Sequence, residues 1–298
     1  MGPAVEDVQK VAIVTGASSG MGKALATRLI EKGWLVALFD INQEAGTELA
    51  SHLGPNASFF RTDVSSYPSQ ASAFAAVFDK WGRIDALLAN AGIVDRSSIF
   101  ILPHRSAPVT SIPPAPDLST TDIDYKGVIY GVQLAIHFMR HNPVSPIPQG
   151  GTKKIIATAS IAGVVPHPTY PEYNGAKAAV INFVRGAAPV LKIKEGITLG
   201  AVCPGIVDTP IIPQALVAAV SKGCLTPVET VVRAYEEFLD DEGEGRAGMV
   251  VECSADKVVP LKIPEMGNGE ASRRAVTAWE PLFRRMHGED SGLPDAIP

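Results

Sequence analysis

Short apolar runs alternate with longer amphipathic stretches along most of the chain. Seven of these short apolar runs have the pattern of buried strands. They are Val11–Thr15, Leu35–Phe39, Ser58–Arg61, Ala86–Ala89, Lys154–Thr158, Thr198–Cys203 and Met249–Cys253. The stretch after the first run places Ala24, Leu25, Leu29 and Ile30 at helical spacing and ends at Gly33, a residue that often terminates helices. The pattern therefore predicts strands separated by amphipathic helices.

This regular alternation of strand and helix indicates the fold class. Strands that are apolar on both faces are typical of parallel sheets covered by helices on both sides. We therefore predict an α/β fold, a single doubly wound (Rossmann) domain over residues 1–298 with a seven-stranded parallel sheet. In such folds the ligand lies beyond the carboxyl ends of the strands.

Three segments depart from the alternation. Residues 93–118 contain five prolines and are predicted to form an irregular insertion, since proline interrupts helices and central strands. His141–Thr152 contains three prolines and a glycine pair and is predicted to be a surface loop. Residues 257–298 form a predicted C-terminal extension with one short helix, Ser272–Met286.

Composition excludes several classes of protein. The 298 residues are 46% hydrophobic and 19% charged, which is typical of globular chains. The net charge of −5 and the lack of a basic stripe argue against a nucleic-acid partner. The polar N-terminus does not resemble a targeting signal, and no run is long enough to predict a membrane span. We therefore expect a cytoplasmic protein without a membrane or nucleic-acid partner.

The three cysteines, Cys203, Cys224 and Cys253, lie far apart and lack the spacing of a metal site. We expect no bound metal. We also expect these cysteines to be small buried side chains in a reducing compartment.

The first predicted strand leads directly into the run Gly16-Ala17-Ser18-Ser19-Gly20-Met21-Gly22, which opens the first helix. Its glycines allow a tight turn and a close approach of a pyrophosphate to the backbone. The free N–H groups and positive dipole end of the helix would bind that anion. A glycine run is often only a turn, but its position between strand and helix favours a dinucleotide site.

Asp40 ends the second predicted strand, about twenty residues after the glycine run. A carboxylate there can accept hydrogen bonds from both ribose hydroxyls of an adenosine and repels a 2′-phosphate. Neither Ile41 nor Asn42 could bind that phosphate, so NAD is favoured over NADP. In the alternative interpretation, Asp40 is only the N-cap of a helix over Glu44–Leu53.

Five motifs in order resemble the short-chain dehydrogenase/reductase family, over nearly the whole chain to about Asp256. Thr15–Gly22 resembles the TGxxxGxG cofactor loop of the family, Ala89–Gly92 its NNAG motif, and Pro204–Thr209 its nicotinamide-binding segment. Ser160 stands thirteen residues before Tyr173 in a Tyr-x-x-x-Lys pattern that ends at Lys177, as in the family's catalytic set. Asp40 and the Ile-Ala-Gly after Ser160 are similar to NAD-using members of the 15-hydroxyprostaglandin-dehydrogenase-like kind.

The resemblance implies NAD as cofactor and a set of residues that contact it. These are Gly16, Ser18, Ser19, Gly20, Met21, Gly22, Asp40, Ile41, Asp63, Val64, Asn90, Ala91, Gly92, Tyr173, Lys177, Pro204, Gly205, Ile206, Val207 and Thr209.

The chemistry of the three candidate catalytic residues also follows from their own properties. Tyr173 and Lys177 are four residues apart, so they share a face of the predicted helix Tyr170–Lys192. An ammonium close to a phenol favours the phenolate, so Tyr173 could exchange a proton with an alcohol or a carbonyl. Ser160 could hydrogen-bond the substrate oxygen and fix it in place.

Asp124 departs from the family pattern, which usually has an asparagine in the corresponding N-x-x-G-V context. The resemblance implies that this position helps to place the lysine and a proton-relay water. A carboxylate near Lys177 would favour the ammonium but oppose the phenolate. Asp124 therefore either serves in the relay with a shifted pH optimum or weakens activity. Alternatively, it is an ordinary acidic residue at a helix N-terminus.

The substrate pocket is predicted to be walled by Ile93–His104, Ile161–Tyr170 and Ile206–Lys222, with residues 205–226 as a lid. These segments are mainly apolar, and Arg96 and Arg105 are the cations that could reach the pocket. The lid could instead pack on the body or on another subunit. We expect a hydrophobic small-molecule substrate, a secondary alcohol or its ketone.

Three functions remain open from the sequence. The leading hypothesis is an NAD-dependent alcohol dehydrogenase or carbonyl reductase. The alternatives are a redox-sensing regulator that binds NAD(H), and an isomerase or reductive-cyclisation enzyme of secondary metabolism on the same fold. The resemblance further suggests a homodimer or homotetramer that shares the helices Thr120–Arg140 and Tyr170–Lys192.

Overall fold

A computed structural model describes residues 9–143, 153–242 and 245–298 of the chain. All seven predicted strands are present and lie parallel in one sheet. They are β1 (Val11–Thr15), β2 (Leu35–Asp40), β3 (Ala57–Arg61), β4 (Ala86–Ala89), β5 (Lys154–Thr158), β6 (Thr198–Pro204) and β7 (Val250–Ser254). The strand order is β3-β2-β1-β4-β5-β6-β7, so the doubly wound α/β prediction is confirmed.

The prediction of seven strands was one short. An eighth strand, β8 (Lys257–Pro260), pairs antiparallel with β7 at the edge of the sheet. Because β8 is largely exposed, it lacks the buried apolar run by which the other strands were found.

Helices cover both faces of the sheet. One face packs against α1 (Gly20–Glu31), α2 (Gln43–Leu53) and α8 (Val228–Leu239). The other packs against α3 (Tyr67–Trp81), α5 (Gly127–Arg140) and α6 (Pro171–Glu195). Short α4 (Ser119–Thr121) and a π-helical turn (Asp122–Lys126) precede α5 in the region predicted as one helix. Such π turns are frequent at functional sites.

The irregular segments fold mainly outside this framework. The insertion at 93–118 contains only a 3₁₀ turn (Leu102–His104) before it reaches the chain's next helix, as its prolines predict. The lid segment contains α7 (Gln214–Ala219) and a 3₁₀ turn (Lys222–Cys224). Most of the predicted loop His141–Thr152 lies outside the described residues.

The C-terminal extension corrects the prediction of a single helix. It forms two, α9 (Gly269–Ala275) and α10 (Glu280–His287). Pro281 lies in the first turn of α10, where its missing N–H is harmless, whereas it would interrupt a continuous helix.

Two further expectations from composition concern cysteines and membrane spans. Cys203 and Cys253 are buried, but Cys224 is exposed, so the expectation that all three are buried was wrong. Within the described part of the chain, no helix combines the length and the apolar character needed to cross a membrane.

Candidate active site

A cavity of about 630 Å³ opens beyond the carboxyl ends of the parallel strands, where the strand order reverses between β1 and β4. Most residues predicted to be functional border it: Gly16, Ser19, Gly20, Met21, Asp40, Ile41, Asp63, Val64, Asn90, Ala91, Gly92, Asp124, Ser160, Tyr173, Lys177, Pro204, Gly205, Val207 and Thr209. Ser18, Gly22 and Ile206 are not among the lining residues. Residues distant in the sequence are thus brought to one site.

The glycine run forms a tight turn at the end of β1. Gly16 has a φ of +63°, a conformation that favours glycine. A Cβ on Gly22 would lie 2.0 Å from the Gly16 carbonyl oxygen, so no larger residue fits there. The Ser19 side chain makes no capping hydrogen bond to α1, so it does not occupy the N–H groups in the first turn of this helix. Such a helix start can receive a phosphate.

Asp40 connects β2 to the glycine run. Its Oδ2 accepts a hydrogen bond from the Ser18 N–H at 3.0 Å, and its Oδ1 accepts one from the Asn42 N–H at 2.9 Å. The N-cap of α2 is Asn42, whose side chain accepts from the Ala45 N–H, so the alternative role of Asp40 as that cap was wrong. The Asp40 carboxylate is held at the cavity wall.

Asn90 joins the ends of three strands. Its side-chain amide donates to the Thr15 carbonyl at 3.0 Å, and its Oδ1 accepts from the Thr158 hydroxyl at 3.3 Å. The Thr15 hydroxyl in turn accepts from the backbone N–H groups of Asn90 and Ala91. This network fixes the cavity floor, with Asn90 itself nearly fully buried.

Lys177 lies beneath the cavity and is 2% exposed. Its Nζ donates to the Thr158 carbonyl at 2.8 Å and lies 3.0 Å from the Asp124 Oδ2. The same Nζ lies 5.5 Å from the centroid of the Tyr173 ring. The ammonium is therefore held below the phenol by two acceptors.

Asp124 is fully buried in the π-helical turn, and its Oδ1 accepts from the Ile93 N–H at 2.8 Å. It therefore pairs with Lys177 in the protein interior, and the alternative of an ordinary acidic residue at a helix N-terminus was wrong. A Cβ on Gly92 would lie 2.8 Å from the Asp124 Oδ2, so the backbone packs closely on the ion pair.

The ion pair controls the charge of the lysine. Burial by itself lowers the pKa of Lys177, but the attraction of Asp124 and Tyr173 outweighs it and holds that pKa above its ordinary value of 10.5. Burial also raises the pKa of the Asp124 carboxyl, against the opposing attraction of Lys177. Lys177 therefore remains an ammonium at neutral pH, the form that stabilises a phenolate.

Ser160 and Tyr173 approach the cavity from different elements. Ser160 follows β5, and its Oγ accepts from the Ala162 N–H at 3.1 Å, which leaves the hydroxyl proton available for another acceptor. Tyr173 is the third residue of α6, and Lys177 lies one turn later on the same face. The arrangement can exchange a proton with an oxygen bound in the cavity.

The predicted pocket walls were only partly correct. Ile93 and Arg96 line the cavity from the insertion, and Val207, Thr209, Pro210, Ile211 and Ile212 line it from the lid. Neither Arg105 nor any residue of Ile161–Tyr170 is among the lining residues. A Cβ on Gly163 would lie 2.7 Å from the Lys177 backbone carbon, so this turn packs onto α6 and not over the cavity.

Sequence reasoning missed two carboxylates at the start of α6. Asp95 accepts from the N–H groups of Glu172 and Tyr173, and Glu172 accepts from the Thr121 N–H. The partners of Asp95 lie 77 and 78 residues away, so no local pattern could have revealed them. Among the described residues, no group of three or more His, Cys, Asp or Glu side chains could hold a metal ion.

Comparison with known proteins identifies the family. A family model described as short chain dehydrogenase matches residues 10–216. The short-chain dehydrogenase/reductase prx6 of Penicillium rubens is 55% identical over 97% of this chain and 98% of its own length. The NAD(+)-linked 15-hydroxyprostaglandin dehydrogenase of Mus musculus is 34% identical over 68% of this chain and 69% of its own length.

A solved structure shows the same fold. The 3-ketoacyl-(acyl-carrier-protein) reductase of Brucella melitensis, complexed with NADH, aligns with a TM-score of 0.69. It is 21% identical and covers 83% of this chain and 97% of its own. On the family model and the extended identity to its relatives, the chain belongs to the short-chain dehydrogenase/reductase family of oxidoreductases.

Proposed function

We propose that the protein is an NAD(H)-dependent oxidoreductase that interconverts a hydrophobic secondary alcohol and its ketone, with Tyr173 as the general acid and base. The observation that carries this proposal is the buried Lys177 ammonium, which lies 5.5 Å from the Tyr173 ring centroid beside the same cavity that Ser160 lines. Packing alone does not account for a buried positive charge that Asp124 and Thr158 hold beside the cavity.

Each side chain has a defined part in oxidation of an alcohol. The Ser160 hydroxyl donates a hydrogen bond to the substrate oxygen and orients it. The Tyr173 phenolate takes the hydroxyl proton, and the Lys177 ammonium stabilises the phenolate before that transfer. When bound, the nicotinamide supplies the hydride acceptor for the carbinol carbon. Reduction of a ketone reverses these roles, so Tyr173 then donates the proton.

The residues at the adenosine end of the cavity fit NAD. The turn at Gly16 and Gly22 and the start of α1 would receive the pyrophosphate, and the Asp40 carboxylate would accept from the ribose hydroxyls. Ile41 is 59% exposed beside it and offers no charge to a 2′-phosphate. The mouse relative named for NAD(+) supports the same preference.

Asp40→Asn is expected to relax this cofactor preference. Removing the carboxylate charge removes its repulsion of a 2′-phosphate, while the amide oxygen can still accept from the Ser18 N–H. We expect the ratio of kcat/KM for NAD⁺ to that for NADP⁺ to fall roughly 10- to 100-fold, which corresponds to about 1.4 to 2.8 kcal/mol. Initial rates with each cofactor at a fixed alcohol concentration measure this ratio.

Asp63→Asn is the matched control for that experiment. Asp63 also lines the cavity, from the segment after β3, but its Oδ1 is engaged by Ser65. We expect this change to affect both cofactors alike and to leave the ratio within about twofold, a difference below about 0.4 kcal/mol. An unchanged ratio in Asp40→Asn would show that Asp40 does not select the cofactor.

The remaining wall of the cavity supports a hydrophobic substrate. Ile93, Ile123, Ile211 and Ile212 line it, and Arg96 is the sole cation other than Lys177 among the lining residues that the structure describes. Because Asp124 pairs with Lys177, the substrate meets little net charge at the buried end. An apolar molecule with one reacting oxygen fits this lining.

Turnover of an alcohol tests the proposal directly. We expect the protein to generate NADH absorbance from NAD⁺ and at least one member of a panel of terpenoid, polycyclic and long-chain secondary alcohols. Binding of NADH without turnover of any alcohol or ketone would favour a redox-sensing regulator. Product formation without net change in the cofactor would favour an isomerase.

A further inference from the structure

Helix α6, which carries Tyr173 and Lys177, is capped by a residue outside its own sequence. Its N-cap position is Tyr170, whose side chain makes no capping hydrogen bond, and its first residue is Pro171. The next two N–H groups, of Glu172 and Tyr173, donate to the two carboxylate oxygens of Asp95 at 3.0 and 2.8 Å. A negative charge at this end is also favoured by the helix dipole.

Asp95 belongs to a segment that is itself fixed. Two residues earlier, the Ile93 N–H donates to Asp124 Oδ1 at 2.8 Å. The Glu172 side chain accepts from the Thr121 N–H at 2.8 Å, which ties α6 to the helical turn leading into Asp124. The start of the insertion, the π-helical turn and the first turn of α6 are thus joined around the cavity.

Tyr173 depends on this cap more than Lys177 does. Lys177 is buried and held by Asp124 and Thr158, whereas Tyr173 lies in the first turn, and helix ends fray when their N–H groups lack acceptors. The backbone N–H of Tyr173 is one of the two groups that Asp95 binds.

We propose that Asp95 is a positioning residue, which holds the first turn of α6 so that the Tyr173 hydroxyl stays in register with Ser160 and Lys177. The proposal rests on the proposed function of Tyr173 as acid and base. A displacement of about 1 Å at a reacting group can lower the rate of a reaction about a hundredfold, so this support acts on kcat.

Asp95→Ala tests the proposal in the full-length protein. We expect kcat to fall about 10- to 100-fold with the Kd for NADH within about twofold, because the adenosine and pyrophosphate contacts lie elsewhere. We also expect faster amide hydrogen exchange at Glu172 and Tyr173. Asp95→Asn keeps one of the two acceptor oxygens and places an N–H₂ donor at the other, so its kcat should fall between those of Asp95→Ala and the unmodified enzyme.

Asp117→Ala provides the matched control. Asp117 lies at the other end of the same insertion, is exposed, and accepts from the Ser119 N–H at 2.9 Å. Its loss should leave kcat within about twofold. Faster exchange at Glu172 and Tyr173 with unchanged kcat in Asp95→Ala would overturn the positioning role. Failure of the unmodified protein to turn over any alcohol would instead contradict the proposed function.

Discussion

Tyr173→Phe should reduce kcat by about 10²- to 10⁴-fold, the range that a positioned acid or base contributes. The change removes only the hydroxyl, so the ring still lies over the Lys177 ammonium. Cofactor binding should persist, because the cavity residues that would hold the adenosine and pyrophosphate are unchanged. Steady-state rates on the best alcohol of the panel, together with NADH fluorescence titration, measure the two quantities separately.

Tyr130→Phe is the control for this substitution. Tyr130 lies on α5 with its ring against Tyr67, and it is not among the residues that line the cavity. The same loss of a hydroxyl there should leave kcat within about twofold. If Tyr173→Phe kept more than a tenth of the activity, another group would have to carry the proton, and the proposed role of Tyr173 would be rejected.

The parts of the fold that local patterns determine were predictable from sequence. β1 and β2 are aliphatic runs buried on both faces, and their predicted ends agree with the structure to within one residue. Tyr173 and Lys177 share a helix face because their separation matches one turn. In each case the signal and the structure lie within a few residues of one another.

The parts that depend on contacts between distant segments were not predictable from local patterns. The proximity of Asp124 to Lys177 was inferred only through the family resemblance, because it requires the π-helical turn to pack against α6 and no local pattern signals that turn. The segment after Ser160 was predicted to line the pocket because it is apolar. In the structure, Gly163 lets this segment lie against the backbone of Lys177. Val164 and Val165 of that segment are in fact exposed, so apolar composition alone does not place a segment in the cavity wall.

The two networks around α6 support different atoms of the same site. Asp95 binds backbone N–H groups of the first turn, whereas Asp124 binds the charged end of a side chain in the second. Loss of Asp95 should therefore change geometry with little change in charge at Lys177. Loss of the Asp124 charge should change electrostatics, and the pH dependence of activity separates the two.

Asp124→Asn should move the alkaline limb of the pH–rate profile to lower pH. The attraction of Asp124 is the principal cause that raises the pKa of Lys177, so without it the effect of burial dominates and that pKa falls. The alkaline limb therefore moves down. Profiles of kcat/KM from about pH 5 to 11 measure the position of this limb.

The same substitution should destabilise the protein by about 1.5 to 3 kcal/mol at pH 7, the contribution of a hydrogen bond to a charged group. The sign of its pH dependence follows from linkage. In the unmodified protein the raised pKa of Lys177 gives stability that is fully present below 10.5 and is lost as pH rises through the folded value. In Asp124→Asn the lowered pKa of Lys177 destabilises the folded protein at neutral pH, and this destabilisation also disappears at high pH. The difference in Tm should therefore be largest near pH 7 and shrink toward pH 10.5.

Asp122→Asn is the matched control because it breaks an ion pair of the same chemistry in the same helical turn. Asp122 lies 2.7 Å from Lys126, but both side chains are nearly half exposed, so water compensates for the loss. Its Tm and pH–rate profile should match those of the unmodified enzyme. If Asp124→Asn gave the same result as this control, the buried carboxylate would have no electrostatic part in the reaction. A shift confined to Asp124→Asn would mean that a carboxylate, in place of the family's usual asparagine, sets the upper end of the pH range of the reaction through Lys177.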